Sequence, residues 1–370
     1  MFRTFFLNLK LNLKLSLILT ISLSVFSTSA LAATTEFYLD SSMFAYSETA
    51  PIKQIVFDDF EGNKFEGGRH SFTHNRWELG ARRNGWKAAY LIRYDYSLAY
   101  NEDTAELVYA DKNNIEIEKN RNYSIKLDAI HARTTGLKLG YQWHVQDTLS
   151  LSADISYLQT SSFIEGDLNG QFTVLDDDYS GEIFLDYVYD KDKLLDRIVD
   201  EPTGKGFSLD LASEWQVNPA LNVVFKATDL ISRIRFDETP YTTAQASSNR
   251  VSFDSDGKID VKPALSGQEG YRKHTLSYPR QFDLKAAYQF HSDYSVHGRW
   301  YRYDTLNFPS LGLSKSVSPS LSLRADFDLK SKASTLGAAG DNWHFSITSD
   351  RLTLENAMTF GLSFAYLLTW

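Results

Sequence analysis

Charged residues recur at alternate positions inside the apolar segments of this chain. They are Lys87, Arg93 and Asp95; Lys126 and Asp128; Asp154; Asp210 and Glu214; Lys226; Asp283 and Lys285; Arg299; and Arg324 and Asp326. Side chains alternate faces along a strand, so these groups share the face opposite the Leu, Tyr, Phe and Trp residues beside them. Both signs occur in similar number, and on one strand Asp283 and Lys285 put opposite charges two residues apart. Two chemistries fit such a set. Compensating ion pairs can fill a narrow interior, or the walls of a water-filled passage can bind and sort polar solutes. Balanced charge argues against strong selectivity for ions of one sign.

Hydrolysis needs a different constellation. His131 and His144 are the histidines to test, with Ser124, Ser150 or Ser152 as nucleophiles, but His131 lies on the apolar parity and His144 on the opposite one. No G-x-S-x-G elbow is present; Gly361-Leu362-Ser363-Phe364-Ala365 only approaches it, inside a strand. The chain reads as a non-enzyme. Asp254-Ser255-Asp256-Gly257 lacks the spacing of a calcium loop and reads as a hairpin turn, and Asp176–Asp178 reads as a solvated turn. His70 and His74 stand at i, i+4, which suits metal binding on a helix, whereas their context is strand. No metal and no cofactor are expected.

The elements that position the charges follow from composition. The 370 residues include no cysteine and carry a formal net charge of -9. Arg3, Lys10 and Lys14, the apolar run Leu15–Phe26 and Ala30-Leu31-Ala32 predict a cleaved secretory signal peptide over residues 1–32. Its removal takes three basic residues and no acidic one, so the charge becomes -12. Such an acidic chain argues against nucleic acid as a partner. No later segment reaches the apolar length of a membrane-spanning helix.

Residues 33–69 read as a first strand or short plug followed by a loop. The clearest hairpin turns at Asn84-Gly85, where the apolar parity flips from odd to even. Residues 123–145 keep one parity throughout and predict one long strand, with a three-residue loop at Thr134-Thr135-Gly136 as the alternative. Further strands are expected at 149–157, 168–174, 183–189, 207–215, 221–227, 282–290, 294–300, 321–327 and 343–347. Residues 101–122 and 190–205 read as loops, and 232–279 as a long extracellular loop with its own hairpin. The count is about fourteen. Short turns fall on one side and long loops on the other, and no convincing amphipathic helix is present. The fold expected over residues 70–370 is therefore all-β: a transmembrane antiparallel up-and-down β-barrel. In lipid every backbone N–H and C=O must pair within the protein, so the sheet has to close.

The last segment carries a resemblance. Phe360, Leu362, Phe364, Tyr366, Leu368 and Trp370 share one parity, opposite Thr359, Gly361, Ser363 and Ala365. An apolar strand ending in an aromatic residue resembles the closing strand of bacterial outer-membrane β-barrels, although Trp370 stands where Phe is usual. In architecture, and in the block Gly136-Leu137-Lys138-Leu139-Gly140-Tyr141-Gln142, the chain is loosely similar to the fourteen-stranded long-chain fatty-acid transporter type. The resemblance implies a Gram-negative outer membrane, lipid around the wall, and a terminal strand read by the barrel-assembly machinery. That family has an amino-terminal plug and an apolar ligand pocket; the interior expected here is charged. The function expected is a channel or transporter for small solutes. The alternative is a non-conducting structural or assembly barrel that presents loops to a partner.

Overall fold

The computed structural model describes residues 34–57, 66–175, 179–192, 196–248, 251–253, 259–261 and 264–370. The expected signal peptide and the turns at 176–178 and 254–257 lie outside the described residues.

Alternating segments become strands, and turn chemistry joins them. β1 (Glu36–Ser47) opens the wall; β2 (His70–Arg83) and β3 (Trp86–Tyr100) form the hairpin about Asn84-Gly85. Both turn residues have positive φ, 51° and 79°, as a type I′ turn requires, and only glycine takes that region without steric cost. β4 (Asn122–Gln146) runs unbroken through Thr134-Thr135-Gly136 and pairs along its length with β5 (Leu149–Val174). The irregularity falls in β5 instead. Ser161 bulges out between the Arg133↔Ser162 and Thr134↔Thr160 pairs, which reverses the inward parity of β5 above it. That reversal hides the continuity of 149–157 with 168–174, which the pattern had separated.

β6 (Tyr179–Tyr189) pairs with the far half of β5, and β7 (Gly204–Asn218) with its near half. Together they fill one wall position, interrupted at residues 190–203. β8 (Leu221–Ser247) pairs with both. On its other edge it pairs with β11 (Ala264–Leu276) and then β12 (Gln281–His291), again one position in two pieces. Between β8 and β11 a small hairpin of β9 (Val251–Phe253) and β10 (Ile259–Val261) forms the tip. The segment 232–279, expected as loop, is thus mostly strand. Its polar composition reflects projection into solvent, not irregular backbone.

The remaining wall is a meander: β13 (Tyr294–Tyr303), β14 (Leu306–Ser318), β15 (Leu321–Asp328), β16 (Ser334–Gly340), β17 (Trp343–Ser349) and β18 (Thr359–Thr369). β18 pairs with β1 from Glu36↔Thr369 to Tyr46↔Thr359. Thr35 and Trp370 exchange backbone hydrogen bonds of 3.1 and 2.9 Å. The sheet therefore closes into a fourteen-stranded antiparallel barrel. The number matches the expectation through a different partition. β14 and β16 were not foreseen: Pro309 interrupts the first pattern, and the second, Ser-Thr-Leu-Gly-Ala-Ala-Gly, has almost no apolar face.

Wall height is uneven. β4, β5 and β8 have 25, 26 and 27 residues, whereas β15, β16 and β17 have 8, 7 and 7. At about 3.3 Å per residue the long strands outrun the short ones by roughly 60 Å. The far halves of β4, β5 and β8, with β6 and β11, form a sheet projecting beyond the rim at the loop end.

Two helices sit at the loop end, where none was expected. α1 (Ile52–Phe57) follows β1, and the Ile52 N–H donates to the Ala357 carbonyl at 2.9 Å. α2 (Glu102–Lys112) starts at Asn101, whose side chain accepts from the Thr104 N–H at 3.0 Å. α2 docks through its edge: Thr104 Oγ1 accepts from the Lys126 N–H at 2.9 Å and Asp103 from the Ser124 N–H at 2.9 Å. That polar docking explains why no strong apolar stripe announced it. Just past β1, hydrogen bonds from His70 and Lys330 hold the Glu48 carboxyl well below its usual range, clamping the loop-end connections.

Candidate functional site: the lumen

The even positions of β1, β2, β4 and the lower part of β5 face inward, as do the odd positions of β3, β12, β13 and β18. Outward parity carries the exposed apolar band, including Trp86, Tyr90, Leu137, Leu139, Ile155, Tyr157 and Leu313. Phe360, Leu362, Phe364, Tyr366 and Leu368 lie on that outer face, since their neighbours Thr359, Gly361 and Ser363 pair with the inward Tyr46, Phe44 and Ser42.

Toward the end that carries the termini, the lumen holds a cavity of about 690 Å³. A second, of about 540 Å³, shares Arg82, Lys87, Ser152, Asp154, Ala212 and Lys226 with it, so the two form one vestibule. One wall of the vestibule is a compensated ion cluster. Lys87 binds Asp154 at 2.6 Å, Arg76 binds Asp210 at 2.6 Å and Glu78 at 2.8 Å, and Lys138 reaches Asp210 at 3.2 Å and also Glu78. Asp154 nests over Gly140, where a Cβ would overlap its carboxylate. Gly140→Ala is therefore expected to displace Asp154 from Lys87 and destabilise the barrel by about 1–3 kcal/mol, read from denaturant unfolding in detergent. A loss indistinguishable from zero would show that the carboxylate relaxes freely.

The other vestibule wall carries Lys226, Asp283, Lys285, Arg299, Arg324 and Asp326. Arg299 binds Asp283 through two hydrogen bonds of 2.8 and 3.1 Å, Lys285 reaches Asp283 at 3.3 Å, and Arg324 binds Asp326 at 2.5 and 2.8 Å.

Above the vestibule, side chains from opposite stretches of wall meet. Arg93 on β3 binds Asp95 on its own strand at 2.7 and 3.1 Å and Asp229 on β8 at 2.8 Å. Its guanidinium carbon lies 3.6 Å from the Tyr278 ring centroid, in the link between β11 and β12. Asp95 contacts the His74 ring nitrogen at 2.7 Å; the Gln281 amide lies 3.3 Å from that ring, and Tyr301 donates its hydroxyl to Gln281 at 3.0 Å. Ser208 donates to Asp229 at 2.6 Å. Arg93, Asp95 and Asp229 are each 1 % exposed. On one side of this chain pack Leu91, Leu158, Phe163, Ile234, Phe236 and Leu276; on the other pack Tyr46, Phe72, Tyr303 and Phe308, with Phe72 and Tyr303 stacked at 3.9 Å. This layer, two apolar cores joined by a buried polar chain, fills the lumen between the vestibule and the loop end.

No family model matches this chain, and no curated protein matches it either. Solved structures do resemble it in outline. The toluene transporter TbuX of Ralstonia pickettii is 10% identical over 92% of this chain and 90% of its own, with a TM-score of 0.44. The Pseudomonas putida toluene transporter TodX is 10% identical over 92% and 89%, at 0.41. A Pseudomonas aeruginosa FadL homologue is 11% identical over 91% and 89%, at 0.27. The likeness is one of barrel outline, and no residue correspondence follows from it.

Eleven of the fourteen charged positions expected on the inner face separate into three groups. Lys87, Asp154 and Asp210 join the ion cluster; Lys226, Asp283, Lys285, Arg299, Arg324 and Asp326 form the second wall; Arg93 and Asp95 build the seal. Glu214 lines the second cavity near the termini. Lys126 and Asp128 keep the inward parity but stand exposed in the part of β4 that nears the rim, because β4 is longer than the barrel is tall. Arg76, Glu78 and Asp229 carry no expectation from the sequence, and His74 enters it only as half of the i, i+4 pair with His70. Arg76 and Glu78, like His74, share the parity opposite Trp77 and Leu79 and were findable. Asp229 was not, because it sits in a β8 bulge with φ 56°, where the two-residue rhythm resets. His131 faces outward and contacts the Tyr94 hydroxyl at 3.0 Å. His144 and Ser150 are cross-strand partners, yet among the described residues no hydrogen bond joins them. Among the described residues no cluster of three or more metal-binding side chains occurs.

Proposed function

We propose that this chain is an outer-membrane barrel of a Gram-negative bacterium that passes small solutes through a gated lumen, with its termini in the periplasm. The observation that carries the reading is the juxtaposition of a charged vestibule of about 690 Å³ with a buried layer organised around one arginine. A purely structural barrel has no need of an open chamber beneath its seal. The apolar outer band and the closed sheet support insertion in lipid. The vestibule lining sets ionic and hydroxyl side chains among apolar ones such as Met43, Phe44 and Phe308, and its charged groups suit polar solutes.

The part of the gate taken to move is the link that carries Tyr278. Tyr278 sits in residues 277–280, where the wall position shared by β11 and β12 is interrupted. Its hydroxyl bonds Thr134 and its ring covers Arg93. In planar bilayers the wild-type protein is expected to open rarely and briefly, and Tyr278→Ala to give steady single-channel steps. Silence from both proteins across repeated preparations would instead favour a non-conducting barrel. That second reading draws on the filled mid-section and on the projecting sheet of β4, β5, β6, β8 and β11, which could meet a partner outside the cell.

A further inference from the structure

We propose that the vestibule contains a binding subsite for small hydroxylated carboxylates, of the sugar-acid class. The inference rests on the lumen being a solute path and names the solute chemistry.

Charge around the vestibule is balanced in sum and segregated in space. The wall of β2, β3, β4, β5 and β7 pairs Arg76, Lys87 and Lys138 with Glu78, Asp154 and Asp210. Beyond those pairs it adds one cation, Arg82, 4.5 Å over the Tyr38 ring, and one carboxylate, Glu214, so its charge stays balanced. The facing wall of β8, β12, β13 and β15 sets four cations, Lys226, Lys285, Arg299 and Arg324, against only Asp283 and Asp326. Lys226 is exposed and forms no ion pair among the described residues. Of the other carboxylates near this wall, Asp328 is committed to the Lys330 and Ser331 N–H groups of its own turn, and Asp40 lies on β1, on the inward face that also carries Ser42.

Position amplifies the excess. The side chains of Lys285, Arg299 and Arg324 are 41%, 37% and 36% exposed, whereas Asp283 and Asp326 are 17% and 7% exposed. The acids lie back against the wall, Asp326 over Gly312, where a Cβ would overlap it. The cations project past them into the cavity. An anion entering there meets ammonium and guanidinium donors before any carboxylate, in a confined space with low-dielectric walls.

The second half of the subsite is a row of hydroxyls. Arg324 pairs with Gly337, Gly337 with Ser346, Ser346 with Ser363 and Ser363 with Ser42. All five positions line the cavity. Among the described residues Ser42 and Ser346 make no side-chain hydrogen bond, so their hydroxyls remain for a ligand. Neighbouring strands lie about 4.8 Å apart, so the three serines offer roughly 10 Å of hydroxyl surface leading away from Arg324. A ligand with a carboxylate at one end and several hydroxyls along its body matches both halves. A bare inorganic anion matches only the first.

The test is equilibrium binding to the refolded full chain in detergent by isothermal titration calorimetry. Glucuronate is compared with glucose, its neutral counterpart, and with inorganic phosphate. Glucuronate is expected to bind at least tenfold more tightly than either, and to weaken as salt is raised. Lys226→Gln/Lys285→Gln is expected to cost at least tenfold, with folding checked by heat-modifiable gel migration. Should that variant misfold, Ser346→Ala/Ser363→Ala keeps the charge and is expected to weaken glucuronate at least threefold while leaving phosphate unchanged. Equal affinity for glucuronate and glucose, or no effect of either variant, overturns the subsite. Phosphate binding as tightly as glucuronate overturns the hydroxyl half. Binding in detergent needs no conduction, so glucuronate binding with silent bilayers would sink the transport reading alone, and conduction without binding would sink this one alone.

Discussion

Arg93→Ala is expected to lower the unfolding free energy of the barrel by about 3–5 kcal/mol and to convert rare openings into sustained conductance. The size follows from what the substitution leaves behind. Asp95 and Asp229 are each 1 % exposed, and Arg93 supplies the hydrogen bonds that join them across the lumen. Without it, two carboxylates face each other in a dry layer, and the Tyr278 ring loses the cation it covers. The vacated volume adds a cavity contribution. Arg93→Lys should fall between, because one ammonium cannot reproduce a forked contact to Asp95 and a further bond to Asp229. Adding Asp229→Asn to Arg93→Ala should recover part of the loss by removing one stranded charge. The measurement is denaturant unfolding in detergent, followed by tryptophan fluorescence, beside bilayer recording. A loss below about 1 kcal/mol would mean that water already reaches this layer.

Leu137→Arg tests the outer face with comparable leverage. Leu137 is 64% exposed and lies between Tyr90 and Tyr157 in the register of β3, β4 and β5. If that face meets hydrocarbon near the bilayer midplane, arginine costs about 2–4 kcal/mol of folding stability in liposomes. If it meets water, an exposed leucine replaced by arginine changes stability by no more than about 0.5 kcal/mol. The two outcomes do not overlap. The adjoining Lys138 gives the complementary contrast, since its ammonium lies in the inner ion cluster. One step along β4 moves a side chain from the outer face to the lumen.

The even vestibule charge also bears on selectivity. Summed over the lining, cations and carboxylates nearly cancel, and that sum argued against selectivity for one sign. The structure distributes the charges so that the β8, β12, β13 and β15 wall is cationic at its surface. A formal sum does not show which partner of each pair faces the water.

What the chain itself determined was local and periodic. A two-residue rhythm sorts Leu137 from Lys138 and Leu362 from Ser363 because successive side chains on a strand must point opposite ways. Asn84-Gly85 determined its hairpin because few other pairs accept two positive φ values. Those rules sufficed for strands, inward parity and a closed barrel of about fourteen positions. They weakened where the rhythm is reset by a bulge, at Ser161 and Asp229, and where small residues carry no apolar mark, as in β16. Only the tertiary structure decided which inward residues meet. Arg93 and Asp229 are 136 positions apart, and Arg76 and Asp210 are 134 apart. Parity places each of them in the lumen and says nothing of its partner, because contact across a barrel depends on how the whole wall curves and where opposite sides approach. Whether the interior is a passage, a seal or a chamber is a property of that cross-section, and no single strand contains it.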